Sequence, residues 1–397
     1  MNKDSDTAAA AASPMLESSL QVPAKTLQPG FWADWKAQGQ PLGFLRQPGN
    51  RQVAALTGFA KSLGKVRDYC LIGIGGSALP CRSVHDFFAP RARAPRLSVI
   101  DTIDPDALQA ALEPVLAHPQ ETLFHVVSKS GKTLEVELVR QLVETRLQTA
   151  LPDSWKDRIV VTTSPGAGNP LERWAKRNRI RIFPLDQDIG GRFCTFTPVT
   201  YMWAALAGLD LSEFWQGAQG VIDEPGDALA YAEHMHRQMR RGRNILGLCL
   251  YGGELERFGD FLQQLFAESL GKDGKGITPY KFIGTKDQHS LLQLYLDGPK
   301  DKQATIISIR KSMDSAVGRA FAGAQYGVAQ SFKERGVPFV TLRVRERTPA
   351  AYGALVSFFH IATIGLGRLM GVNPFDQPMV ELQKRYTREY LEKMGDP

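Results

Sequence analysis

Cysteine is scarce and scattered. The 397-residue chain holds four, Cys70, Cys81, Cys194 and Cys249, with no C-x-x-C pair, which excludes a zinc-ribbon spacing and the disulfide framework of a small secreted domain. Such usage belongs to a reducing compartment, so a cytoplasmic location is expected. Runs of like charge are also missing. Lys and Arg number 48 against 41 Asp and Glu, a net charge of +7, yet the basic residues fall in short clusters broken by apolar residues. No aromatics interleave with them as a base-stacking groove requires, so nucleic acid is not an expected partner. Residues 1–30 lack a basic leader with a Leu-rich core and read as a flexible tail rather than a signal peptide. The long uncharged stretch 348–367 is diluted by Ser357, His360, Thr363 and three glycines. Its Tyr352, Leu355, Phe359 and Leu366 lie near helical spacing, which predicts a buried helix and no membrane association.

What is present is alternation. Apolar, β-branched runs at Tyr69–Ile74, Leu97–Asp101, Thr122–Ser128 and Arg158–Thr163 are separated by helical patterns such as Thr133–Leu147. The series restarts with Asn244–Tyr251, Tyr280–Gly284, Ala304–Ile309 and Val337–Val344, with helical patterns over Leu255–Leu270 and Arg319–Arg335 between them. Near-continuous apolar strands divided by helices predict parallel sheets covered on both faces. Two doubly wound α/β units follow, within roughly 50–195 and 235–345, joined by a helical segment.

Several strand-to-helix turns carry candidate chemistry. Gly73-Ile74-Gly75-Gly76-Ser77-Ala78 fits the dinucleotide fingerprint, with Asp101 where a ribose-binding acid would stand, but any turn that approaches a phosphate wants glycines and free N–H groups. Ser128-Lys129-Ser130-Gly131-Lys132-Thr133 contains "GKT" without the earlier glycine of a Walker A loop, because position 126 is valine. Three hydroxyls converging on a helix start can cradle one phosphate, whereas ordinary capping explains only one of them. Gly190-Gly191-Arg192-Phe193 pairs close backbone approach with a fixed cation. Gln264 and Glu268 share a helical face beside the turn Gly271–Gly274. His289 follows a strand end, and Gln377, Glu381 and Lys384 share one stripe.

In this order, "GIGGS", "SKSGKT", "GGRF", "ESLGK", "GTKDQH" and "FDQPMVELQK" resemble the glucose-6-phosphate isomerase family in its shorter bacterial form, over about residues 70–385. The resemblance implies two Rossmann-like, three-layer αβα sugar-isomerase (SIS) domains with mainly parallel sheets. The first would span 31–205 with N-terminal helical material, the second 206–372, with a C-terminal helix over 373–397 reaching the active site. It implies interconversion of glucose 6-phosphate and fructose 6-phosphate through a cis-enediol(ate), with no cofactor and no metal. Ser128, Lys129, Ser130 and Thr133, helped by Gly76 and Ser77, would bind phosphate. Glu268 would be the base and Arg192 would stabilise the enediolate. His289 and Lys384 would assist ring opening, and Gln264 and Gln377 would hold substrate oxygens and phosphate. A homodimer is implied, with His289 supplied across the interface. Cys194, Leu270, Pro378, Met379 and Gln383 depart from the family's usual residues and leave each proposed chemical side chain in place.

Overall fold

The computed structural model describes residues 15–20, 27, 37–89 and 94–395. Ten strands are present among them: β1 Leu16–Ser18, β2 Asp68–Ile72, β3 Arg96–Ile100, β4 Thr122–Val127, β5 Ile159–Thr163, β6 Arg181–Pro184, β7 Ile245–Tyr251, β8 Thr278–Gly284, β9 Lys302–Ile309 and β10 Phe339–Val344. They form two five-stranded sheets, ordered β3-β2-β4-β5-β6 and β1-β10-β9-β7-β8. All pairings are parallel except β1 with β10. The expected tail mostly lies outside the described residues, but Leu16–Ser18 is not loose: it closes the edge of the second sheet, with Leu16 opposite Val344.

The strands read as apolar runs because helices cover both faces of each sheet. Side chains alternate across the pleat. Tyr69 and Leu71 of β2 enter a joint core that also receives Leu248 and Leu250 of β7, while Cys70 and Ile72 enter an outer cluster. Cys249 and Tyr251 likewise face a separate outer cluster on the second sheet. The joint core binds the two sheets together.

Helix Pro349–Met370 runs through that core. It is long and apolar enough to cross a membrane, but its apolar window is 94% buried inside the protein. It lies so close to helix Leu211–Asp223 that a Cβ on Gly217 would stand 1.7 Å from the carbonyl oxygen of Ala350. Only glycine permits that crossing. Helix Val380–Met394, by contrast, has no buried residue.

Candidate active site

In open α/β sheets, ligands bind beyond the carboxyl ends of strands where the strand order reverses. The first sheet reverses between β2 and β4, and the two glycine-containing turns follow those strands. After β2, Gly75–Ser77 forms a short turn in which Gly75 has φ +57°. A Cβ on Gly76 would lie 2.3 Å from the carbonyl carbon of Gly191. The "GIGGS" and "GGRF" turns therefore pack backbone to backbone, and the buried Cys194 thiol donates to the Gly76 carbonyl at 3.0 Å. Burial pushes that thiol's pKa up to about 12, so it acts as a neutral strut. Asp101, the candidate ribose acid, is instead paired with Arg82 at 3.0 Å.

After β4, the Ser128–Thr133 loop is held in a folded-back form. Gly131 N–H donates to Ser128 Oγ at 3.1 Å, Lys132 N–H to Ser130 Oγ at 3.2 Å, and the Ser128 and Thr133 hydroxyls are 3.0 Å apart. Thr133 is the N-cap of helix Leu134–Ala150, yet its side chain makes no capping bond. The first N–H groups of that helix are thus left for an anion. Lys129 Nζ donates to Gln187 O at 2.9 Å, and burial lowers its pKa from the ordinary lysine value.

Asn169 anchors this loop from behind. Its Nδ2 donates to Thr163 Oγ1 at 2.6 Å, to Ser164 O at 2.8 Å and to Lys129 O at 3.3 Å, while its Oδ1 caps helix Pro170–Arg177 through Glu172 N–H at 3.1 Å. Gly131 has φ +66°, and a Cβ there would fall 1.9 Å from Asn169 Oδ1.

Glu268 comes from helix Glu256–Leu270, which approaches the first sheet's turns closely enough that Gln264 Nε2 lies 2.8 Å from where a Gly75 Cβ would be. One Glu268 oxygen accepts from Gln264 Nε2 at 3.0 Å, the other from Arg192 Nη1 at 3.1 Å. Arg192 is 2% exposed, and every donor of its guanidinium is used. Nε donates to Ser269 Oγ at 2.7 Å, and Nη2 donates to Pro374 O at 2.6 Å and Asp376 O at 3.0 Å. Nη1 donates to Glu268 and, at 2.8 Å, to Gln377 Oε1. Burial lowers the Arg192 pKa, but a guanidinium stays charged. Lys272 clips the same C-terminal segment by pairing with Asp376 at 3.0 Å and by donating to the Asn373 carbonyl.

The structure therefore brings together Gly76, Ser77, Gln264, Glu268, Arg192 and Gln377, flanked by the Ser128–Thr133 loop. It does not bring in the other two. His289 sits exposed in the turn Lys286–His289 after β8, and Lys384 pairs with Glu381 at 2.7 Å on the exposed C-terminal helix, half open to solvent. Ser269, Lys272 and Asn169 were not foreseen as site residues. Ser269 stands inside a motif, but its role depends on where Arg192 arrives from far along the chain. Among the described residues no group of three or more His, Cys, Asp or Glu is arranged to hold a metal ion.

The fold is an SIS-type α/β architecture, and its site sets a carboxylate and a buried guanidinium beside an uncapped helix start. Structural neighbours agree: a protein from Thermus thermophilus, solved as hypothetical, superposes with TM-score 0.81 at 28% identity, covering 90% of this chain and 92% of that one. A glucose-6-phosphate isomerase from Chlamydia trachomatis shares the fold with TM-score 0.75 at 23% identity, over 87% and 74% of the two chains. The phosphoglucose isomerase family profile matches residues 55–320. A glucose-6-phosphate isomerase from Rubrobacter xylanophilus is 35% identical over 90% of both sequences. The chain belongs to the phosphoglucose isomerase family and is an isomerase.

Proposed function

We propose that the site interconverts glucose 6-phosphate and fructose 6-phosphate, in glycolysis and gluconeogenesis. The observation that carries this reading is Glu268, held between Gln264 and Arg192 where its helix meets the turn after β2, with the hydroxyl-lined helix start at Ser128–Thr133 following the adjacent strand β4. The helix N–H groups, Ser128, Ser130, Thr133, Lys129 and the Gly76–Ser77 turn hold the phosphate. Binding energy spent there positions the sugar carbons, which contributes to the rate only if the reacting atoms are aligned.

An aldose–ketose shift moves one proton between C1 and C2. Each Glu268 oxygen accepts one bond and retains a lone pair for that proton. The negative oxygen of the enediolate needs a donor already in place. Arg192 is built for this in two halves. Its Nε and Nη2 edge is locked by Ser269 and two main-chain carbonyls, while Nη1 faces Glu268 and the exposed Gln377, which substrate oxygen can replace. His289 and Lys384 open the pyranose ring. His289, exposed in its own chain, is supplied by a second copy of the chain, as the family resemblance implies. The four buried, unbridged cysteines suit the reducing cytoplasm.

The test is a coupled assay that starts from fructose 6-phosphate and follows glucose 6-phosphate. Turnover by the purified protein is expected. Its absence, with the protein folded and dimeric, would overturn the reading.

A further inference from the structure

The second sheet reverses its strand order between β7 and β9, as the first does between β2 and β4. The loop Arg310–Ser315 after β9 is thus the topological counterpart of Ser128–Thr133 after β4, and it too leads into a helix, Ala316–Arg335, capped by Ser315. At the reversal itself the protein supplies its own anion. Glu254, which follows Gly252-Gly253, accepts from Lys311 Nζ and, at 3.1 Å, from Arg347 Nη1. That seat is filled.

Beside it the loop opens into a groove. A cavity of 350 Å³ is walled by Arg310, Lys311, Arg343, Arg345, Glu17 and Gln325. A second of 330 Å³ shares Glu17, Ser308, Gln325 and Arg343 with it and extends to Tyr326. Glu17, brought by β1, binds Arg345 closely and Arg343 only at 3.9 Å. Arg310 is exposed and its side chain makes no hydrogen bond among the described residues. Four cations therefore line a groove of small-ligand size against two carboxylates, Glu17 on Arg345 and Glu254 on Lys311. Two of their guanidiniums, Arg310 and Arg343, are weakly engaged or free, and guanidinium geometry matches phosphate.

We propose that this groove is a second anion site, which takes a phosphorylated small molecule. The phosphate lies against Arg310 and Arg343, and the polar body runs along Gln325 and Tyr326. The groove belongs to the second sheet, whereas Glu268 stands by the turns of the first.

Titration calorimetry of the full chain with inorganic pyrophosphate tests it. Wild type should take up two pyrophosphates per chain. The double variant Arg310→Ala/Arg343→Ala should take up one, or lose at least about tenfold in affinity at the second, because each lost charge-assisted bond is worth roughly that factor. Its kcat and KM should be unaltered. The variant Ser130→Ala/Thr133→Ala should keep the groove site. A single site in wild type, or groove variants that bind as wild type does, would overturn the proposal. So would a second site lost in Ser130→Ala/Thr133→Ala.

Discussion

The two sheets share a winding order, but their carboxyl ends have different fates. At the first, glycines and hydroxyls leave a hollow, and the charged pair Arg192–Glu268 is assembled from distant parts of the chain. At the second, Glu254 fills the hollow with a carboxylate from the adjacent turn. The difference teaches that the fold supplies a position for anions twice, and that side chains decide whether it stays open.

The sharpest contrast is between the two glutamates. Glu268→Gln should lower kcat by about 10³-fold or more while KM changes little, as expected for loss of a general base. Glu254→Gln should leave kcat within about twofold, since exposed and half-exposed pairs contribute roughly 1 kcal/mol or less and only to stability. Steady-state kinetics on both variants settles it, and equal losses would break the comparison.

Next come the cations. Arg192→Ala removes five hydrogen bonds and strands the neighbouring carboxylate. We expect kcat to fall about 10²- to 10³-fold and unfolding free energy to drop by about 3 kcal/mol in urea. Arg347→Ala, which leaves Lys311 on the same Glu254 oxygen, should cost under about 1 kcal/mol.

Backbone substitution gives a smaller, cleaner contrast. Gly76→Ala places a Cβ 2.3 Å from Gly191, whereas nothing lies within 4 Å of a Cβ on Gly253. Gly76→Ala should raise KM about tenfold or more by displacing the two turns. Gly253→Ala should be kinetically silent.

A last contrast is in pH. His125 of β4 is buried between Tyr69 and Thr162, and burial pushes its pKa down to about 3. An unfolded imidazole titrates near 6.5, so as pH falls the unfolded chain takes up the proton first. The stability this neutral ring represents is present above about pH 6.5 and is lost on the way to 3, at up to about 1.4 kcal/mol per pH unit. No strand of the second sheet carries a histidine. Hydrogen exchange at about pH 5 should therefore rise in β2, β4 and β5 before β7, β9 and β10. His360 of the central helix, also at about 3, adds to the global loss without favouring either sheet.

Much of this was legible in the sequence because it is local. Apolar runs bounded by turn residues locate eight strands to within about three residues, and glycines mark the turns where backbones touch. β6 escaped because Arg181–Pro184 is a short edge strand that ends in proline, and β1 because three residues pair only with a distant partner. The locked edge of Arg192 escaped for a different reason. Two of its partners are main-chain carbonyls of Pro374 and Asp376, which no residue type announces. The grip of Asn169 on the Lys129 carbonyl depends on β4 and β5 lying side by side. The expected roles of His289 and Lys384 rest on resemblance, since one chain leaves both in solvent.

The most direct test follows the proton. Fructose 6-phosphate is incubated in D₂O with wild type and with Glu268→Gln, and deuterium at C2 of the glucose 6-phosphate formed is read by NMR. The account predicts product with wild type that carries at C2 either the transferred proton or deuterium acquired by exchange on Glu268, and neither product nor deuterium exchange into substrate with Glu268→Gln, which still binds the sugar phosphate. Product, or exchange into substrate, that persists at wild-type rate in Glu268→Gln would contradict it.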